Sequence, residues 1–458
     1  MALVEAFFLP HPPIIINEIG GQETRHVQQT IKSYQEVALK IKDLQVDTMI
    51  FLTPHNANYQ DYFHVSPGPA AQGSFHAFGH PELSFIVEYD EELRENIIQE
   101  ASKQSIPIGY LGEKDARLDH GVMVPLSFIK GKAKIVRISI SGLTKEVHYN
   151  LGKAIQQVAH QSKKRIVFVA SGDLSHALKK DGPYGYKKEG PIFDDYIKKA
   201  LAKGDFTSIL GVDTRLADLA KECGLRSLFV LAGVLDQQEI SSNLLSYEGP
   251  FGVGYAVANF TVIKENENKQ YLRAYQEQVA SELKKRREQE DRYVRLARTS
   301  LEHYLKYHEY LPINKELEEQ LINEKGAVFV TIKKDGKLRG CIGTLAPTKE
   351  SIAEEIIHNA VSAGLRDPRF EKVQVEELGE LSYSVDVLST PEEIDNLDQL
   401  DPKQYGVIVF ASGKSGLLLP NLEGIDTVEE QVKIVKQKAN IQDGEPYHMK
   451  RFKVVRHL

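Results

Sequence analysis

Cysteine is scarce in this chain of 458 residues: Cys223 and Cys341 are the only two, and they lie far apart. No CxxC pair exists. A disulfide scaffold and a cysteine-rich structural zinc site are both excluded, and the composition fits a reducing, cytoplasmic setting. An excess of positive charge is missing too. The formal net charge is −7, which leaves no electrostatic case for nucleic acid or for an anionic membrane surface. Long apolar runs are also lacking. The opening AFFLPHPPIIINEIG is interrupted by Pro10, Pro12 and Pro13 and has no basic segment before it, so no signal peptide is expected. No later stretch is long enough to span a bilayer. Internal repeats and low-complexity tracts are absent from the sequence.

The length exceeds what one hydrophobic core usually serves, so two or three domains are expected. Residues 1–262 alternate β-like apolar runs with helical patterns, which predicts an α/β domain, a layered sheet with flanking helices. DTMIFLTP (47–54), AKIVRISIS (133–141) and KRIVFVASG (164–172) read as buried strands, and GYAVANFTVI (254–263) as a closing strand. Helices are predicted near 24–44, 91–104, 145–162 and 191–204. LRSLFVLAGVLD (225–236) is apolar nearly all round, so it reads as a buried helix.

Residues 263–289 change character: they are highly charged and lack proline and glycine. They predict a helical linker, long enough to mediate homodimer contacts. Its KKRREQED run mixes signs and reads as a solvated helix face. From 290 to 458 strands and helices mix without a βαβ rhythm, which predicts a smaller α+β domain. A β-hairpin is expected there, turning at Lys334-Asp335-Gly336.

Five stretches of the first domain carry chemistry: FLPHPP (His11), TPHNANY (His55), LDHGVMVPL (His120), SGDLSH (His176) and KECGLRS (Glu222). They are placed at strand ends or helix starts, where sites in such folds lie. Two histidines and a carboxylate on one face of a metal suit ferrous iron, and further histidines can move protons near neutral pH. Prolines on both sides of His11 hold its backbone, and Gly121 is expected to let the chain turn tightly beside His120. Asp119 and Asp173 are candidates to fix imidazole tautomers. Glu222 stands before the buried helix, where an acid is favoured whatever its function. Cys223 beside it is a competing soft ligand that would shift the metal toward zinc or copper. His64, His76 and His80 fall in an expected loop or hairpin.

In this order the motifs resemble those of the class III extradiol ring-cleavage dioxygenases, subunit-B form, and of the related Memo-like family, over about residues 1–262. DHG–PL and SGxxSH are the specific part. The resemblance implies Fe(II) held by His11, His55 and Glu222, with His120 and His176 as acid/base residues and Glu248 as a fallback carboxylate. It implies a small aromatic diol and O2 as reactants. The Memo-like alternative is a metal-binding protein without ring cleavage, acting in a modification or cofactor-related system. Residues 290–458 resemble the AMMECR domain family through LRGCIGTL (338–345), DPRF (367–370) and SGLLLP (415–420). Within them Cys341 reads as a small buried hydrophobe, and Arg339 as one half of a structural ion pair, with anion binding as the alternative.

Overall fold

A computed structural model describes residues 3–110, 117–313, 319–334, 336–411, 413–422, 424–442 and 444–458. By contact the chain divides into Met1–Glu277 and Gln278–Leu458.

The first unit is built on a six-stranded sheet. Its strands are β1 (Leu3–Leu9), β2 (Thr48–Thr53), β3 (Lys134–Ser139), β4 (Ile166–Ser171), β5 (Gln238–Glu248) and β6 (Tyr255–Glu265), in the spatial order β3-β2-β4-β1-β6-β5. β3, β2, β4 and β1 run parallel. β6 is antiparallel to β1, and β5 to β6. Helices cover both faces: α1 (Gln28–Asp43), α2 (Glu91–Lys103), α3 (His120–Phe128) and α4 (Lys145–Gln161) between the parallel strands, and α5 (Glu189–Lys203) and α6 (Leu225–Val234) between β4 and β5.

Burial on both faces explains why these strands read as continuous apolar runs. Successive side chains alternate between two cores: Ala6, Phe8, Ile50, Leu52, Phe168 and Ala170 enter one, and Phe7, Leu9, Met49, Phe51, Val167 and Val169 the other. α6 is buried along its whole apolar length, as its composition predicts.

Three expectations are corrected here. GYAVANFTVI is not the closing strand: β6 lies inside the sheet, and β5 forms the edge. β5 (QEISSNLLSYE) is half-exposed with a mixed burial pattern, so its sequence lacks the apolar run that marks its neighbours. Glu248, the fallback carboxylate, is the last residue of β5. Gly121 is not a turn residue either; it lies within α3. His64 sits in a two-residue strand and is buried, whereas His76 and His80 belong to the hairpin Ala70–Phe75/His80–Glu88.

Helix α7 (Tyr271–Gln289) has residues in both units, and α8 (Arg292–Tyr307) follows. The second unit is α+β. One sheet has the order β8-β7-β9-β14, from β7 (Ala327–Lys334), β8 (Lys337–Gly343), β9 (Leu381–Leu388) and β14 (Val454–His457). The other has β10-β13-β11-β12, from β10 (Glu392–Ile394), β11 (Gly406–Ala411), β12 (Lys414–Leu418) and β13 (His448–Phe452). Helices α9 (Ile352–Leu365) and α10 (Val428–Lys438) supply buried residues to two separate cores of the unit. The predicted hairpin is β7–β8; Gly336 at its tip has φ 74°, and Asp335 lies outside the described residues. Among the described residues no helix is long and apolar enough to cross a membrane.

Candidate metal centre

The parallel strands end together, and their carboxyl ends carry the site. His11 follows β1 and His55 follows β2. Asp173 and His176 follow β4, and His120 opens α3. The structure brings four imidazoles into one cluster. The Nε2 atoms of His11 and His55 are 2.9 Å apart. The ring centroids of His55 and His120 are 4.0 Å apart. Among the described residues, the ligand atoms of His11, His55 and His120 all lie within 4.8 Å of one another, as do those of His11, Asp173 and Cys223.

The tautomer of His11 follows from its neighbours. The Ser171 hydroxyl donates its one proton to the carbonyl oxygen of Gly121, at 2.7 Å. Its oxygen, 2.9 Å from His11 Nδ1, must therefore accept from that nitrogen,. Nδ1 carries the hydrogen and Nε2 keeps a lone pair aimed at His55. The His11 backbone N–H donates to Asp173 Oδ1 at 2.9 Å. His11 is only 2 % exposed, so both ring and backbone are fixed in place.

Two glycines bring the sulfur in. A Cβ on Gly172 would stand 2.2 Å from the Cα of Gly224. Only bare backbone at both positions lets the loop before α6 rest on the end of β4. That approach puts Cys223 Sγ 3.6 Å from His11 Nε2 and 3.8 Å from His176 Nε2. The Asp173 N–H donates to the same sulfur at 3.3 Å.

His120 is held differently. Asp119 does not bond its ring; it accepts from Thr53 Oγ1 at 2.7 Å and pairs with the buried Arg137 at 3.2 Å. A Cβ on Gly121 would meet Thr53 Oγ1 at 2.4 Å, so this glycine serves close approach of α3 to β2. Glu222 Oε2 accepts the Leu225 N–H at 2.6 Å, which ties the carboxylate to the start of α6. Glu248 accepts from the Thr30 N–H and hydroxyl at 2.8 and 2.7 Å, at the start of α1.

The pocket disfavours protonated imidazole. Burial, reinforced by the neighbouring histidines, holds His11 well below its usual range. His55 is the most open of the four, yet the protein packed around its ring, with His120, pulls it down to about 4. Burial and His55 bring His176 to about 4, and burial lowers His120 against the pull of Asp119. Burial pushes Asp173 and Glu222 up to about 7 and raises the Cys223 thiol. Neutral imidazoles with converging lone pairs beside a thiol are a donor set suited to a first-row metal cation.

The catalytic LigB subunit of aromatic ring-opening dioxygenase matches residues 5–258. The chain belongs to this family. AMMECR1 matches residues 294–457, so the LigB chain carries a second, fused family domain. The protein CA_C1420 of Clostridium acetobutylicum is 40% identical over all of this chain and 99% of its own length. A Thermotoga maritima protein is 46% identical over 33% of this chain and 87% of its own. The crystal structure of the uncharacterized protein PH0010 from Pyrococcus horikoshii covers 36% of this chain and 88% of that one, with 31% identity and a TM-score of 0.33.

Several residues of this LigB site escape sequence reasoning. Ser171 opens the SGDLSH stretch with no local sign of its role, yet it sets the His11 tautomer. Arg137 is a charge inside an apolar strand, a signal that it has a buried partner. Phe78 and Tyr184 are exposed aromatics whose rings lie 5.7 Å from His120 and 5.9 Å from His176. In the AMMECR1 unit, Cys341 Sγ is 3.2 Å from Thr331 Oγ1 and its N–H donates to Asp367 at 2.9 Å. Arg339 makes a two-point ion pair with Glu377, at 3.0 and 2.9 Å.

Proposed function

We propose that the LigB unit holds a divalent first-row metal through Nε2 of His11 and His55, with Cys223 Sγ as third donor and His120 and His176 as proton carriers. The observation that carries this reading is the deprotonated His11 Nε2, 2.9 Å from His55 Nε2 and 3.6 Å from the sulfur. Glu222 is the competing third donor, and its engagement with the Leu225 N–H favours a capping role. A thiolate in the set favours zinc or copper over iron.

Bound there, the metal would supply Lewis acidity toward a substrate oxygen and, if iron or copper, a route for electrons. The chain's own part is positional. Ser171 keeps His11 Nδ1 protonated. Asp173 holds the His11 backbone. His120 and His176, neutral at pH 7, are able to take a proton from a hydroxyl brought between them. Metal analysis tests the reading: His11→Ala and Cys223→Ala lose stoichiometric metal, while Glu222→Ala retains it.

A second reading is Fe(II)-dependent ring opening of a catechol-type diol with O2. The two neutral histidines beside the donor set favour it, together with the family match. Anaerobic reconstitution with Fe(II), followed by oxygen uptake and product absorbance across a catechol panel, decides it. Metal binding without turnover leaves a Memo-like metal protein.

A further inference from the structure

The AMMECR1 unit contains a cavity of about 350 Å3 between α7, β7 and β9. Leu283, Val294 and Leu381 give it an apolar side, while Arg286 and Lys333 bring positive charge from two different elements; Arg287 also lines it, with its Nη2 on the Leu378 carbonyl at 2.6 Å and paired with Glu302 at 3.8 Å. Glu290 also lines it but does not neutralise that charge, because both its oxygens are held by Arg298 Nε at 3.0 and 2.9 Å. Arg286 and Lys333 have no ion-pair partner among the described residues.

Two further donors are left over. The Tyr383 hydroxyl and Arg287 Nε are buried without a hydrogen-bond partner, and both residues line this cavity. Tyr383 is only 6% exposed. Buried polar groups are nearly always satisfied, so orphaned donors need an explanation. Arginines in the last turn of a helix stabilise its dipole, and Lys333 is exposed to solvent; neither accounts for the buried, unpartnered Tyr383 hydroxyl.

We propose that this cavity binds a small molecule through an oxyanion, a phosphate or a carboxylate. Lys333 and Arg286 supply charge, and Tyr383 and Arg287 supply hydrogen bonds. The apolar side takes the remainder of the ligand. Its volume lies at the small end of ligand pockets, which limits the ligand to a compact metabolite.

Titration calorimetry on the full chain at low ionic strength tests this, with inorganic phosphate and acetate as probes. Saturable binding of either supports the proposal, and the anion that binds identifies the source. Lys333→Ala should weaken binding several-fold. Tyr383→Phe should weaken it roughly tenfold, the loss of one hydrogen bond to a charged group. Its melting temperature without anion should be unchanged or higher, because the substitution removes only an unpartnered hydroxyl. No saturable binding of either anion overturns the proposal. So does binding that neither substitution alters.

Discussion

His11 Nδ1 donates to Ser171 Oγ at 2.9 Å, and the serine passes its own proton to the Gly121 carbonyl. One hydroxyl at the end of β4 thereby decides which nitrogen of a histidine after β1 is available to a metal. The same serine joins β4 to the first turn of α3, where His120 begins.

Ser171→Ala should therefore weaken metal binding by about 10- to 100-fold, the usual effect of losing a group that orients a ligand. The fold should survive, because the lost side chain is small. Chelator competition measures the affinity; an unchanged value would remove Ser171 from the account.

Gly172→Ala should act through the backbone. Its Cβ would collide with Gly224, so the loop bearing Cys223 must move. Overpacking of this kind costs about 1–3 kcal/mol. Denaturant unfolding should show that loss together with reduced metal content. A fully stable variant with full metal content would show that the close approach is not required.

Glu222→Ala separates capping from ligation. Loss of a helix cap costs about 1 kcal/mol. The variant should melt lower and keep its metal, whereas Cys223→Ala should fold and lose it. The reverse pattern would transfer the third-donor role to the carboxylate.

His148 predicts an acid-sensitive limb of stability away from the metal centre. It is buried, its Nδ1 bonds the Thr144 carbonyl at 2.9 Å, and burial brings it down to about 4. In the unfolded chain it titrates near 6.5. Between those values the unfolded state binds a proton that the folded state refuses, so stability is lost as pH falls from about 6.5 to about 4. The slope is on the order of 1 kcal/mol per pH unit. The lowered histidines of the metal centre add to the same limb, so His148→Gln should make it shallower by about 1 kcal/mol per pH unit in chemical denaturation; the same slope in both proteins would contradict it.

The sequence made the parallel strands legible because both of their faces are buried, which leaves unbroken apolar runs such as IVFVAS. β5 escaped because an edge strand with one open face carries no such run. The histidines were legible as a set because strand ends feed one cleft. Their partners were not. Gly172 against Gly224, Ser171 against His11 and Arg137 against Asp119 are contacts between segments far apart in sequence, and no local pattern encodes them. Gly121 misled for a related reason: a glycine required by tertiary approach looks the same in sequence as one required by a turn.

X-ray absorption of the metal-loaded full chain tests the central claim most directly. One metal per chain with a sulfur scatterer at about 2.3 Å, as for zinc–thiolate bonds, and nitrogen scatterers from imidazole is the predicted result. The sulfur signal should vanish in Cys223→Ala, and metal should be absent from His11→Ala. A spectrum of nitrogen and oxygen alone, with metal retained in His11→Ala, would contradict the account.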